Sequence, residues 1–477
     1  MNPEKVIRDM FSRFRAQFPA EEIEDIHRYC FISHMAMDYD PESHFPQAEI
    51  ARYRLARLVY RHNLQVYREV CEELDRQFHH RFMVVKGLVQ ACDLYPHPEQ
   101  RQVSDIDLLV RPQDAEELFA VLDSMGFDCQ FDPEYRRRHI LKDHVYFLKK
   151  VKNVEVKIEV HASAFNPVSH YPAYLEKLFE RAVTFQDADF LVPVLYDRVI
   201  YAMLHFAIHL SDSWLEVMTG SWKTRFPLKE LLDTALLIDK YGASFDTETL
   251  AAYVREIAAC TDFAAAWKLF ALVFPEYADE RLTEPAVLPP DETLIFTNTR
   301  FMVDMLRDCD SARSLFGHGL EVQLQSCADR IFRQTEPVDG HAIRTGDFDA
   351  VVRLNGDTLE IHCDFHTDRA PAAQTRCKLY YLSNSIPVFA MIRLEPKPDG
   401  LDIKTIGAAP AVLWARHEMV DEHRWTLDFA IPAGNIRMAD GCAYLNLLQE
   451  YSILTQLCLF GSRWTELNAW QPVRIEE

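Results

Sequence analysis

Along the first 80 residues, apolar positions recur at helical spacing. In the stretch "IARYRLARLVYRHNLQVYREVCEELDRQF", Leu55, Leu58, Val59, Val66, Val70 and Leu74 line one side of a predicted helix. The period then changes. "RFMVVKG" is a short apolar run stopped by Gly87 and reads as a buried strand. "LVQACDLYP" starts a helix that Pro96 ends. "SDIDLLV" is a second strand, and "PQDAEELFAVLDSMG" a helix with Pro112 near its start and Gly126 past its end. "HVYFLKK" and "VEVKIEVHA" follow as two more strands. In the latter, Val154, Val156, Ile158 and Val160 alternate with Glu155, Lys157, Glu159 and His161. Residues from about 170 to 280 are helical again, with "VLYDRVIYAMLHFAIHL" and "LKELLDTALLIDKYG" the clearest segments and Gly242 the stop of the second.

The pattern shifts at "DERLTEPAVLPPDE", residues 279–292, whose adjacent prolines and charges mark a linker. Beyond it lie mostly short β segments. Asn355-Gly356 sits between two strand-like runs, a hairpin signal, and "RWTLDFAIP" places Trp425, Leu427, Phe429 and Ile431 on one face. The expected fold class is therefore α+β: residues 1–285 form a small mixed sheet with flanking helices, and residues 290–477 form an all-β sandwich. No internal repeat or low-complexity tract interrupts either part.

At 477 residues, two or three domains are expected. The formal net charge of -22 repels phosphate backbones and anionic lipid, which argues against general nucleic-acid or membrane binding. The amino end "MNPEKVIRDMFSRFR" has no apolar core of signal-peptide length, and no uncharged apolar run is long enough to span a bilayer. A cytoplasmic location is the expectation. None of the 11 cysteines forms a C-x-x-C pair, so they are expected as reduced, buried hydrophobes rather than metal or redox ligands. Nothing in the pattern specifies an oligomeric state.

Candidate chemistry lies in "SDIDLLV". On a strand, residues two apart project from the same face, so Asp105 and Asp107 stand together while Ile106, Leu108 and Val110 face the core. Two close carboxylates repel unless a cation neutralises them, and hard oxygen ligands suit Mg²⁺ or Mn²⁺. Glu159, on the polar face of an alternating strand, is the expected third ligand, with Glu155 as the fallback. Lys86-Gly87 at a strand-to-helix turn offers backbone N–H groups and a point charge to phosphate, and Arg101 offers a bidentate donor.

Strand, glycine turn, helix and Asp-x-Asp on the next strand resembles the DNA polymerase beta-type nucleotidyltransferase core. More closely, "RHNLQVYREVCEELDRQF", "FMVVKG", "YPHPEQRQVSDIDLLVRPQD", "LDSMGFD" and "KIEVH" resemble a family of bacterial uncharacterised nucleotidyltransferases. The matching positions are Asn63, Lys86, Gly87, Arg101, Asp105, Asp107, Gly126, Phe127, Glu159 and His161, and "LLDTALLI" resembles the helical tail. The resemblance implies a metal-dependent transfer of a nucleotidyl group from an NTP to a hydroxyl of a small-molecule, sugar or peptide acceptor. It implies that Asp105, Asp107 and Glu159 are catalytic and hold the metal, and that Lys86, Gly87, Arg101, His161 and Asn63 bind the nucleotide or lie near it. Asn63 is equally readable as a helix residue bridging neighbouring backbone. The wider superfamily has Gly-Ser or Gly-Gly at the turn, whereas here Leu88 follows Gly87. That departure supports an alternative: a catalytically degenerate binding protein whose sandwich recognises a glycan or a protein.

Other clusters read as structural. His205 and His209 are four apart but lack the intervening glutamate of a zinc helix, so they read as interhelical. His362, Asp364, His366 and Asp368 alternate on one face and read as a solvated sheet surface. The carboxy-terminal strands resemble the sandwiches of family 9-like carbohydrate-binding modules, in which aromatics stack on sugar. Trp414, Trp464 and Trp470 are available for that role, Trp464 and Trp470 being the better exposed candidates, although simple packing is the leading reading for them; the alternation around Trp425 puts it in the core. The two-domain reading predicts that limited proteolysis cuts first near Leu288, leaving a helix-rich and a β-rich fragment by circular dichroism. Two unfolded fragments, or resistance at that stretch, would count against it.

Overall fold

The computed structural model describes residues 2–282, apart from 21, 24–26, 28–29, 31, 130, 141–143, 166–172, 186–187, 219–227 and 258. Within 338–475 it describes all but 340–342, 345–347, 367–375, 383–388, 398–399, 407–411, 422–423, 437, 440–441, 453–454 and 459–471. The chain divides into two compact units, Met1–His209 with Arg225–Phe296, and Leu210–Thr224 with Thr297–Glu477. The proline-rich stretch expected as a linker lies, from residue 283 on, outside the described residues.

The first unit opens with helices α1 (Pro3–Gln17), α2 (Ser33–Tyr39) and α3 (Gln47–Phe78). Then come β1 (Phe82–Val85), α4 (Gly87–Leu94), β2 (Ile106–Val110), α5 (Ala115–Ser124), β3 (Asp128–Cys129), α6 (Pro133–His139), β4 (Val145–Val151) and β5 (Val154–His161). Helix α7 (Tyr174–Arg181), the short strands β6 (Val183–Thr184) and β7 (Leu191–Val192), and helices α8 (Leu195–Met218), α9 (Leu228–Tyr241), α10 (Thr247–Glu256) and α11 (Cys260–Val273) complete it. The strands form one mixed sheet in the order β3-β4-β5-β2-β1-β7-β6, with β2 and β5 parallel and β1 and β2 antiparallel.

One face of this sheet is dry. Ile106, Leu108 and Val110 of β2 join Val154, Val156, Ile158 and Val160 of β5 in a core with α3 and α5. The chain reverses where its sequence permits. Gly126 at φ +77° ends α5, with the Phe127 N–H donating to the Leu122 carbonyl at 3.0 Å. Lys152 and Asn153, both at positive φ, make the two-residue β4–β5 turn, a conformation that asparagine tolerates better than most side chains. The apolar stripe of α3 is buried only in its second half. Val66, Val70 and Leu74 enter the core, whereas Leu55 is 65% exposed and Leu58 and Val59 also face solvent. The first half of α3 is held instead by charge: Arg57 and Arg61 both donate to Glu99, a buried carboxylate on the 3-10 turn Pro98–Gln100.

The helical tail is fastened to the sheet by buried ion pairs. Arg101, just before β2, donates through Nε and Nη2 to Asp233 of α9 at 2.9–3.1 Å, and the Tyr95 hydroxyl donates to the same carboxylate at 2.8 Å. Arg198 of α8 donates to Asp93 at 2.7 Å and to Gln90 of α4, and Lys240 of α9 also pairs with Asp93.

Among the described residues the second unit has two sheets. One runs β15 (Trp414–Met419), β16 (Arg424–Pro432), β11 (Thr358–His366), β10 (Phe348–Asn355) and β9 (Ile343–Arg344). The other includes β12 (Arg376–Leu382), β13 (Phe389–Lys397), β14 (Gly400–Ile406) and β18 (Cys442–Ser452). Side chains of both meet in one core, including Ile361, Cys363, Leu379, Ile392, Leu427 and Phe429. Trp425 is fully buried and stacks on Phe365 at 4.4 Å. The β10–β11 hairpin forms where the sequence indicated, but its turn residues are Gly356 and Asp357, because Asn355 pairs with Thr358 and φ is positive at Gly356. On the outer face His362 contacts Asp428 at 2.7 Å and Arg424 holds Asp364 with both nitrogens, so these polar positions form cross-strand pairs. Trp414 is exposed with Arg416 over its ring, while Trp464, Trp470 and Asp368 lie outside the described residues. Among the described residues no helix is long and apolar enough to cross a membrane.

Breaking one half of a pair as buried as Arg101–Asp233 leaves an uncompensated charge. Arg101→Met should therefore lower unfolding free energy by about 3–5 kcal/mol, and the Arg101→Met/Asp233→Met double variant should recover most of it. Urea unfolding of both proteins measures this. An arginine that served only to bind phosphate would leave stability unchanged.

Candidate active site

The parallel register of β2 and β5 sets Asp107 directly beside Glu159 and Leu109 beside His161. On the other side of β2 the antiparallel register sets Val85 beside Asp107, which brings the following Lys86 to the same place. The polar side chains of the alternating strand β5 thus meet one carboxylate from the middle of the sheet. Asp107 and His161 are each 6% exposed, and Glu159 is half-buried.

Lys86 Nζ donates to Asp107 Oδ1 at 2.7 Å. His161 Nε2 lies 3.2 Å from that same oxygen and 3.9 Å from a Glu159 oxygen. Lys157 pairs with Glu159. One carboxylate oxygen each from Asp107 and Glu159, with a ring nitrogen of His161, lie within 4.8 Å of one another, a separation that permits a single ion to bind all three. Burial opposes the charge on Asp107, but Lys86 and His161 outweigh it and hold its carboxyl well below the usual range. Burial likewise opposes the charge on Lys86, and Asp107 more than restores it, so the ammonium is held above its ordinary range. His161 is moved the other way: burial and the Lys86 charge favour its neutral ring, against the pull of Asp107.

Lys86 occupies an unusual backbone position, φ +57° and ψ -130°, immediately before α4 begins at Gly87. Such a conformation costs a side-chain-bearing residue about 1–3 kcal/mol. It turns the chain sharply from β1 into α4 and keeps the ammonium on the carboxylate face. A Cβ at Gly87 would meet Val103 at 3.4 Å, so the start of α4 packs closely there. Leu88 is buried and carries no hydroxyl toward a ligand.

The remaining expected residues sit differently. Asp105 precedes β2 and accepts from Ser104 Oγ at 3.1 Å. It is not among the three converging groups, yet burial and the charges of Asp107 and Glu159 raise its pKa. Asn63 lies half-buried on α3 and is also outside the group of three. Arg101 has its guanidinium taken by Asp233 and by the Gln102 carbonyl, so the structure gives it a fastening role where the sequence suggested a phosphate ligand. Glu155 is exposed, on the same face as Glu159 but two full strand repeats away.

Sequence reasoning missed several neighbours. The His144 ring lies 5.3 Å from that of His161, tilted by 44°, and its Nε2 is 3.9 Å from Glu159. Tyr146 pairs with Glu159 in register and lies under the Lys157 ammonium at 5.2 Å. Tyr201 of α8, its hydroxyl pushed up to about 12 chiefly by burial, lies close enough to Lys86 and Asp107 to feel both charges. The alternation of β5 already showed Lys157 on the polar face. His144 opens the expected strand "HVYFLKK", but neither its proximity to His161 nor the approach of Tyr201 from α8 is announced by a local pattern.

Residues 42–275 match a family described as "Uncharacterised nucleotidyltransferase". Among solved structures, the chain is similar to an antigenic nucleotidyltransferase-like protein from Paracoccidioides brasiliensis, at 13% identity over 40% of this chain and 88% of that one, with a TM-score of 0.26. It is also similar to a carbohydrate binding module family 9 protein from Caldicellulosiruptor kristjanssonii in complex with glucose, at 8% identity over 31% of this chain and 86% of that one, with a TM-score of 0.20. Neither likeness is strong enough to carry an argument about chemistry. No curated protein matches the chain. Over residues 42–275, this chain belongs to the family of uncharacterised nucleotidyltransferases.

Proposed function

We propose that this protein is a metal-dependent nucleotidyltransferase. It moves a nucleotidyl group from an NTP to a hydroxyl of a small-molecule, sugar or peptide acceptor; residues 1–285 carry the chemistry, and residues 290–477 form a separate β-sandwich domain. The observation that supports this most is the side-by-side register of Asp107 and Glu159, with the Lys86-Gly87 turn 2.7 Å away through Lys86 Nζ. A carboxylate pair buried in a sheet is costly, and a phosphate-handling site gives it a use.

The donor set fits a divalent cation. Asp107 and Glu159 would hold it, with Asp105 at the rim of the same negative field. Bound there, Mg²⁺ or Mn²⁺ supplies neutralisation of phosphate charge. The protein's own groups do the rest. The first backbone N–H groups of α4, beginning at Gly87, are unpaired within the helix and favour an anion. Lys86 contributes a fixed positive charge beside them. His161 lines the same site, with its Nε2 3.2 Å from Asp107. The acceptor oxygen forms a bond to the α-phosphorus while the bond to the β-phosphate oxygen breaks. The hydroxyl proton is lost, and pyrophosphate leaves. Positioning and charge, rather than a covalent intermediate, account for catalysis.

One observation favours a second reading, a degenerate nucleotide-binding protein: Leu88, buried, stands where the wider superfamily places a small or hydroxyl residue. The two readings part on pyrophosphate release. For the transferase, Asp107→Asn and Glu159→Gln should each lower release by about 100-fold or more while NTP still binds, because the lost interaction matters most as charge develops. Glu155→Gln, about 13 Å along the strand from Glu159, should be nearly silent. Paired assays of pyrophosphate release and NTP affinity check this. Activity retained in Glu159→Gln but lost in Glu155→Gln would move the site to the other end of β5.

A further inference from the structure

Nucleotidyl transfer by carboxylates alone calls for a hard-oxygen site, in which Mg²⁺ keeps most of its water. The group in this structure is different. Its three converging ligand atoms come from Asp107, Glu159 and His161, so one of them is an imidazole nitrogen. Asp105, the second aspartate of the Asp-x-Asp motif, is outside the group and is hydrogen-bonded to Ser104. Two of the three, Asp107 and His161, are both 6% exposed and come from adjacent parallel strands, so their spacing is fixed by the sheet rather than by a loop. His161 Nε2 is the ring nitrogen aimed at Asp107, at 3.2 Å. Lys86 and Lys157 each place an ammonium on one of the two carboxylates, so both carboxylates are ionised and aimed inward before any ion arrives.

Imidazole nitrogen is a borderline ligand that suits zinc and its first-row neighbours, whereas magnesium gains little from it. We infer that Asp107, Glu159 and His161 form a carboxylate-carboxylate-imidazole site that selects a first-row transition ion, Zn²⁺ or Mn²⁺, over Mg²⁺, with His161 rather than Asp105 as the third protein ligand. An ion here deepens the reading of this face as a nucleotidyl-transfer site and rests on it. Ion binding is nonetheless measurable without any nucleotide, so the two stand or fall separately. A protein that binds Mn²⁺ through His161 but releases no pyrophosphate from any NTP overturns the transfer reading alone.

The test uses the full chain, freed of metal by a chelator, and the metal ions alone. Titration calorimetry should show binding in the order Zn²⁺, Mn²⁺, Mg²⁺, with Mn²⁺ tighter than Mg²⁺ by more than an order of magnitude. His161→Gln should weaken Mn²⁺ by more than an order of magnitude and narrow its lead over Mg²⁺, while Asp105→Asn, which removes a nearby charge but no ligand, should weaken both ions slightly and equally and preserve the Mn²⁺ lead. The metal-free circular dichroism and melting temperature of each variant identify any that fails to fold. Because a folding failure would empty the His161→Gln comparison, a second readout uses the wild type. Pulsed paramagnetic resonance of bound Mn²⁺ should show coupling to a directly ligated imidazole nitrogen. Equal affinity for Mg²⁺ and Mn²⁺, no nitrogen coupling, or loss of Mn²⁺ binding in a folded Asp105→Asn protein would each overturn the assignment.

Discussion

A carboxylate on a central strand of a packed sheet has to be neutralised where it stands, and Asp107 is that carboxylate. It lies on β2 between β1 and β5 and is 6% exposed, so water cannot do the work. Each unusual feature nearby serves the same requirement. Lys86 adopts a backbone conformation that disfavours any side chain but keeps its ammonium 2.7 Å from Asp107. His161 approaches the same oxygen from β5. The parallel β2–β5 pairing, which needs the long crossover through α5 and the β4–β5 hairpin, is what brings Glu159 level with Asp107. A shift of one residue in that register would send Glu159 to the dry face and bring an isoleucine or valine in its place.

The helices beyond the sheet extend this constraint outward. Helix α4, whose start faces the site, is gripped near its other end through Asp93 and Gln90 by Arg198, and through Asp93 by Lys240. The loop entering β2 is gripped by Asp233 through Arg101. Two elements that carry site residues are thus fixed by α8 and α9, more than 90 residues later in the chain. Buried pairs of this kind contribute little net stability compared with apolar packing, but removing one partner is costly. Their effect is to make one arrangement of turn, helix and strand distinctly better than its neighbours.

What could be read from the sequence was whatever a local period or a local breaker encodes. Phe82–Val85 as a strand, Gly87 at a helix start, the alternation of Val154–His161 and the buried face of Trp425–Ile431 all follow from residues within one element. Partnership was not legible. An arginine before Asp-x-Asp looks the same whether it meets a phosphate or, as here, Asp233 from 132 positions away. Leu55 and Leu58 continue the spacing of Leu74, yet the core stops at Leu64, and only tertiary packing decides where a long helix leaves its sheet. Asp105 and Asp107 are two apart in sequence, but β2 begins at Ile106, so a rule for residues within a strand applies to one of them. The hairpin at Asn355-Gly356 was displaced by one position for a similar reason: the cross-strand pairs of β10 and β11 set the register, and the turn took the residues left over.

If the site handles a nucleotide as proposed, its charge requires phosphate and cation to arrive together. Asp105, Asp107 and Glu159 contribute three negative charges, and Lys86 and Lys157 contribute two positive ones. His161 is held toward its neutral form. One negative charge is left uncompensated, in a protein already at -22, so a bare triphosphate approaching this face would be repelled. A divalent cation reverses the local sign. Only then do the Lys86 ammonium and the open N–H groups at the start of α4 act on an incoming phosphate without opposition from the carboxylates. For the proposed transferase, this arithmetic would set the order of binding: the ion alone or the ion already bound to its nucleotide, and not the nucleotide first. The same arithmetic gives Lys157 a purpose that its position two residues from Glu159 does not otherwise supply, since it limits how negative the empty site becomes.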